Sequence, residues 1–272
     1  MAPAAGGIDA GIDVLKAPRT LRYQDAGNAV RSEGAQAMEV QTQTIEVPAT
    51  GGAMPCFLAR AADGARSPAV LVIQEAFGLN VHIKEVARRV AAEGYVALAP
   101  DLYWRGGKGR SVRYDQLAEA IGLMQSVKDA DVVADVRSAI THLEAQPFVR
   151  ADRIGITGFC MGGRVSYLAA CEIPGKIKAC APFYGGGIPV EKTASLQAPV
   201  LAFFGAEDGF IPLAQVEHLK AELTRLGKQA EVVVYQGAGH GFFCDERESY
   251  RADAAKDSWE RLKKFLAAHL RR

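Results

Sequence analysis

From about residue 40 onward, short runs rich in Val, Ile, Ala and Phe alternate with longer runs of helical periodicity, and this alternation restricts the fold more than any other property of the chain. The runs "QTQTIEV" and "AMPCFLA" alternate in polarity like half-buried strands, whereas "AVLVIQE" is continuously apolar and β-branched, the pattern of a strand covered on both faces. "YVALAP", "RIGITG", "IKACAPFYG", "PVLAFFG" and "EVVVYQG" continue the strand series. Between the early strands, "NVHIKEVARRVAAEG" places Val81, Ile83, Val86, Val90 and Ala91 at helical spacing, with Asn80 as its N-cap and Gly94 closing it. The spacing predicts further helices over "YDQLAEAIGLMQSV", "DADVVADVRSAITHLEAQ", "MGGRVSYLAACE", "PLAQVEHLKAELTRLG" and "RADAAKDSWERLKKFLAAHL". The second of these carries Asp129 or Asp131 near its start and Pro147 after its end. Strands joined by crossover helices require a mostly parallel central sheet with helices on both faces, a three-layer α/β architecture.

Residues 1–40, rich in Ala, Gly and charge, read as a flexible or loosely docked N-terminal extension, and 41–272 as a single α/β domain. A hydrophobic fraction of 49% over 272 residues is ample for its core. With 32 basic and 31 acidic residues the formal charge is +1, which supplies no electrostatic attraction to nucleic acid or a membrane surface. The expected partner is therefore a small molecule, and the expected assembly a monomer or homodimer. No apolar run reaches the roughly 18 residues of a spanning helix, and the N-terminal segment lacks the basic and apolar regions of a secretory leader. A cytoplasmic location follows as the expectation. Cys56, Cys160, Cys171, Cys180 and Cys244 form no CxxC pair, so neither a disulfide framework nor a zinc site is expected, and no metal or organic cofactor is implied.

"TGFCMGGR" stands between a predicted strand and a predicted helix, where the nucleophile elbow of an α/β-hydrolase lies. Gly158 and Gly162 let strand and helix approach closely around a residue forced into unfavourable φ/ψ. At that turn Cys160 is either a nucleophile, favoured as thiolate by the helix N-terminus, or a small packed residue. In this fold an acid and a histidine follow the nucleophile in chain order. Asp208 follows the strand "PVLAFFG" and His240 follows "EVVVYQG", each in a loop at a carboxyl end. His82, His142, His218 and His269 all lie inside helical patterns, which fits solvated or core roles. Cys56, Cys171 and Cys180 read as small hydrophobes, and Cys244 as a rim thiol, reactive without being catalytic.

With "VLVIQEAFGLN", "YVALAPDLYWR", "GFCMGGR", "FFGAEDGFIP" and "GAGHGFF" in place, the chain resembles the dienelactone hydrolase family, the carboxymethylenebutenolidases, over roughly residues 40–270. The resemblance implies an α/β-hydrolase core whose Cys160, His240 and Asp208 form a triad that opens a cyclic enol-lactone by acyl transfer to cysteine. It implies that Glu75, a costly carboxylate at the end of a buried strand, takes the thiol proton as substrate binds; otherwise Glu75 simply reaches water. The backbone N–H groups of Ala76 and Met161 are the expected oxyanion donors. A dienelactone carries a free carboxylate, and "PDLYWRGG" puts Arg105 at the family position for pairing with it. The family's second arginine falls four residues after the histidine, where this chain has Cys244; Arg247 is the nearest replacement, unless it is a solvated residue among Asp245, Glu246 and Glu248. The substrate implied is an anionic lactone or ester. The other readings are a promiscuous carboxylesterase or thioesterase and a non-catalytic ligand-binding or redox-sensing scaffold.

Overall fold

The computed structural model of the chain describes residues 38–62 and 64–271, so the expected N-terminal extension lies outside the described residues except for its last three. Eight strands form one sheet: β1 (Val40–Ala49), β2 (Gly52–Ala61), β3 (Ser67–Ile73), β4 (Val96–Pro100), β5 (Val149–Phe159), β6 (Ala179–Phe183), β7 (Val200–Gly205) and β8 (Ala230–Tyr235). Their order is β1-β2-β4-β3-β5-β6-β7-β8. The first two strands make an antiparallel hairpin and β2 meets β4 antiparallel; every later pairing is parallel.

The helices are α1 (Val81–Ala92), α2 (Leu117–Ser126), α3 (Asp129–Glu144), α4 (Met161–Glu172), α5 (Leu213–Arg225) and α6 (Ala252–Leu270). α1 begins where the sequence marks it, because the Asn80 side chain accepts the Ile83 N–H at 3.1 Å. α1 and α6 pack on one face of the sheet, α3, α4 and α5 on the other. α6 docks through Leu262, Leu266 and Leu270, all buried, each contributing about 1.5–3 kcal/mol relative to exposure. Neither Asp129 nor Asp131 caps α3: Lys128 occupies the N-cap position without a side-chain bond, and both aspartates lie in the first turn, where their charge suits the helix dipole. Among the described residues no helix is long and apolar enough to cross a membrane.

The strand order reverses around β3: α1 carries the chain to β4 on one side, and α2 and α3 return it to β5 on the other. A crevice opens at the carboxyl ends of strands at such a switch point. Ile73 pairs with Gly158 in the β3/β5 ladder, so Glu75 and Cys160, each two residues beyond, emerge side by side.

Candidate active site

Cys160 occupies the turn between β5 and α4 with φ +54° and ψ −117°, a conformation that costs a non-glycine residue of order 1–3 kcal/mol. The neighbouring glycines make the turn possible. A Cβ on Gly158 would lie 2.2 Å from the Gly162 carbonyl oxygen, and one on Gly162 would lie 2.4 Å from that of Ile73. The Cys160 N–H donates to Phe183 O at 3.1 Å, tying the turn to β6 and leaving the thiol on the cavity side at the start of α4.

Asp208 and His240 come from the loops after β7 and β8, the two strands at that end of the sheet. His240 Nδ1 lies 2.8 Å from Asp208 Oδ2, while Asp208 Oδ1 accepts the N–H groups of Phe210 and Ile211 at 2.9 and 3.2 Å. The carboxylate therefore caps its own loop and orients the ring. Tyr184 and Phe210 meet the imidazole edge-on, each with ring centroids 5.2 Å away. Burial works against a charge on His240, but hydrogen bonds to Asp208 and Cys160 overcome it and raise the imidazole to about 9.

Glu75 is 0% exposed, and its Oε2 accepts the Tyr114 hydroxyl at 2.9 Å. Its Oε1 has no hydrogen bond and lies 3.6 Å from Arg247 Nη1, which also has none. Arg247, 15% exposed, rests over the rings of Phe77 and Tyr114 and lines the same cavity as Cys160 and His240. Tyr114 completes this group by accepting from Asn80 Nδ2 at 3.0 Å. Ala76 and Met161 also line the cavity, and the Tyr103 hydroxyl joins them, donating to Ala76 O at 2.9 Å and lying 3.4 Å from Met161 Sδ. Met161 opens α4, so its N–H lacks an intrahelical acceptor.

Two expectations are corrected. Arg105 does not line the cavity: its guanidinium grips buried Asp135 of α3 through bonds of 2.6 and 2.8 Å, donates to Thr50 O and stacks on Trp104. A fully buried carboxylate demands such a fork, and Trp104 Nε1 adds a third donor at 3.1 Å. Cys244 is not a rim thiol. Its N–H bonds back to Gly241 O, the turn directs the side chain inward, and burial, reinforced by the charge of Glu75, pushes the thiol up to about 12. Cys56, Cys171 and Cys180 are buried hydrophobes as expected. His82, Cys244 and Asp245 are the one triple of potential metal donors among the described residues. Burial holds the His82 imidazole below its usual value, and its 3.8 Å contact with exposed Asp245 ties α1 to the loop after β8.

The family model for the dienelactone hydrolase family matches residues 54–270, a span that runs from within β2 through β8 and includes every residue of this cavity. The chain belongs to the dienelactone hydrolase family. It is 37% identical over 248 residues to a "Putative carboxymethylenebutenolidase" of Synechocystis sp., covering 86% of this chain and 99% of that one. A protein of the same name from Methylorubrum extorquens is 38% identical, over 82% and 79% of the two chains. Among solved structures, the "Putative Dienelactone Hydrolase" of Klebsiella pneumoniae superposes with a TM-score of 0.78 at 36% identity, covering 85% of this chain and 99% of that one. Membership places this dienelactone hydrolase homologue among α/β-hydrolases that act on ester and lactone bonds.

Proposed function

We propose that the protein hydrolyses a carboxylic ester or lactone through a cysteinyl acyl-enzyme, with Cys160 as nucleophile. The observation that carries this reading is the hydrogen bond of Asp208 to His240 in a cavity that His240 shares with Cys160, itself set on a strained turn. Cys160 attacks the substrate carbonyl through its sulfur, with the His240 imidazole in the same cavity to handle the protons. The developing oxyanion is held by the N–H groups of Ala76 and Met161. Collapse of the tetrahedral intermediate breaks the carbonyl–oxygen bond, and His240 gives its proton to the departing oxygen; in a lactone that oxygen stays tethered to the acyl group. His240 then takes a proton from water, which attacks the thioester and releases the acid and the thiolate.

Glu75 and Arg247 fit the binding of an anionic substrate. Arg247 Nη1 is buried with no hydrogen bond, so a substrate carboxylate gives it a better partner than Glu75 Oε1 at 3.6 Å. The freed Oε1 is then able to accept the thiol proton. Arg247 thus takes over the carboxylate-pairing role that Arg105, committed to Asp135, does not fill.

The test compares specificity constants for paired anionic and neutral esters in the wild type, Cys160→Ala and Arg247→Ala. Cys160→Ala, folded by circular dichroism, is expected to lose turnover of both. Arg247→Ala is expected to lose roughly ten- to a hundred-fold on the anionic ester and little on the neutral one. Wild-type rates in Cys160→Ala overturn the nucleophile; equal losses on both esters in Arg247→Ala overturn the carboxylate contact.

A further inference from the structure

α2 is apolar on two sides. Ala120 and Leu123 face the protein and are buried, as a docked helix requires. Leu117, Ile121 and Met124, spaced i, i+4 and i+7, form a second stripe, and all three line the cavity beside Cys160. Met124 also packs against the core, but Leu117 is exposed and Ile121 only half-buried, so docking of the helix does not by itself account for the stripe. Leu117 is 42% exposed and Phe210, which lines the same cavity, 61%, two of the six large apolar side chains left exposed among the described residues. Exposed apolar side chains gathered at a cavity mark a binding surface.

The remaining walls agree. Val132 of α3 and Val165 of α4 line the cavity, and the Arg164 guanidinium in its wall is already paired with both carboxylate oxygens of Asp129, at 2.6 and 2.8 Å. Lys128, exposed to water, is the other cation lining this end. The volume is about 450 Å³, within the roughly 300–1,000 Å³ of pockets that enclose drug-sized ligands. From Leu117 to Met124 the stripe runs about 10 Å along the helix, the length of a chain of roughly eight carbons.

Resting on the reading of Cys160 as nucleophile, we infer that the substrate is an ester or lactone bearing an apolar arm, aromatic or a chain of up to about eight carbons, that lies along the Leu117–Ile121–Met124 stripe. The arm supplies binding energy remote from the reacting carbonyl, which orients that carbonyl against the thiol.

Two ester series test this: p-nitrophenyl esters of acids from two to eight carbons, and acetates of alcohols over the same range. The specificity constant is expected to rise in at least one series, by up to about four-fold per methylene. Ile121→Asp and Leu117→Asp are each expected to lower the constant for the eight-carbon ester at least ten-fold more than that for the two-carbon ester. Leu117 already meets solvent, so its substitution guards against a folding artefact in the other variant. If both series are flat or falling while Cys160-dependent turnover of the short ester persists, the apolar arm is overturned and the cysteine hydrolase stands. An unchanged chain-length response in both variants also overturns it. Absence of all ester turnover together with absence of acyl labelling at Cys160 overturns both.

Discussion

His240 carries the pH response of the site. Its folded-state value is raised from 6.5 to about 9, against the effect of burial, by hydrogen bonds to Asp208 and Cys160. A group raised on folding contributes stability that is complete below its unfolded value and is lost as pH rises through its folded one. Melting temperature is therefore expected to fall between about pH 6.5 and 9, and the specificity constant to fall above about 9 as the ring loses the proton owed to the leaving oxygen. Asp208→Asn removes the negative partner and is expected to move that basic limb toward lower pH; a limb that stays in place in the variant contradicts the assignment. These three residues were legible in the sequence because each follows its own strand in the chain order of the fold. Tyr114 was not. It lies 39 positions from Glu75, and nothing local to either residue announces the hydrogen bond between them. The pairing of Arg105 was hidden for the same reason, since the carboxylate it bonds stands 30 positions further on, in α3.

At the scale of elements, every predicted strand and helix is present, because their periodicities were long and their ends marked by Gly, Pro or a cap. Less legible was the use of α2, whose apolar residues split between the core and the cavity, a division that depends on what lies on each side. Gly122 in its interior is exposed, and a Cβ there would meet nothing within 4 Å. Gly122→Ala is expected to stabilise the helix by up to about 1 kcal/mol, raising the melting temperature by roughly 2–4 °C in a calorimetric scan. Gly158→Ala has the opposite outlook, because its Cβ would collide with the Gly162 carbonyl, backbone against backbone. Retained stability and activity in Gly158→Ala would contradict the close strand–helix approach on which the Cys160 turn depends.

For the molecule as a whole, the sheet order brings residues from distant parts of the chain to one crevice: Glu75 after β3, Cys160 after β5, Asp208 after β7 and His240 after β8. Parallel pairing gives all four strands the same direction, so every contributing loop leaves the same edge of the sheet. Burial then separates the five thiols, with Cys160 partly accessible and the other four enclosed. The central claim, that a covalent acyl group passes through one of these sulfurs, is tested most directly by quenching the enzyme in acid milliseconds after mixing with a p-nitrophenyl ester and locating the added mass by peptide mapping. The expected result is a stoichiometric burst of nitrophenolate with one acyl group on the peptide containing Cys160, labile to hydroxylamine as a thioester is. Steady turnover with the acyl group on another residue, or full activity in Cys160→Ala, would contradict it.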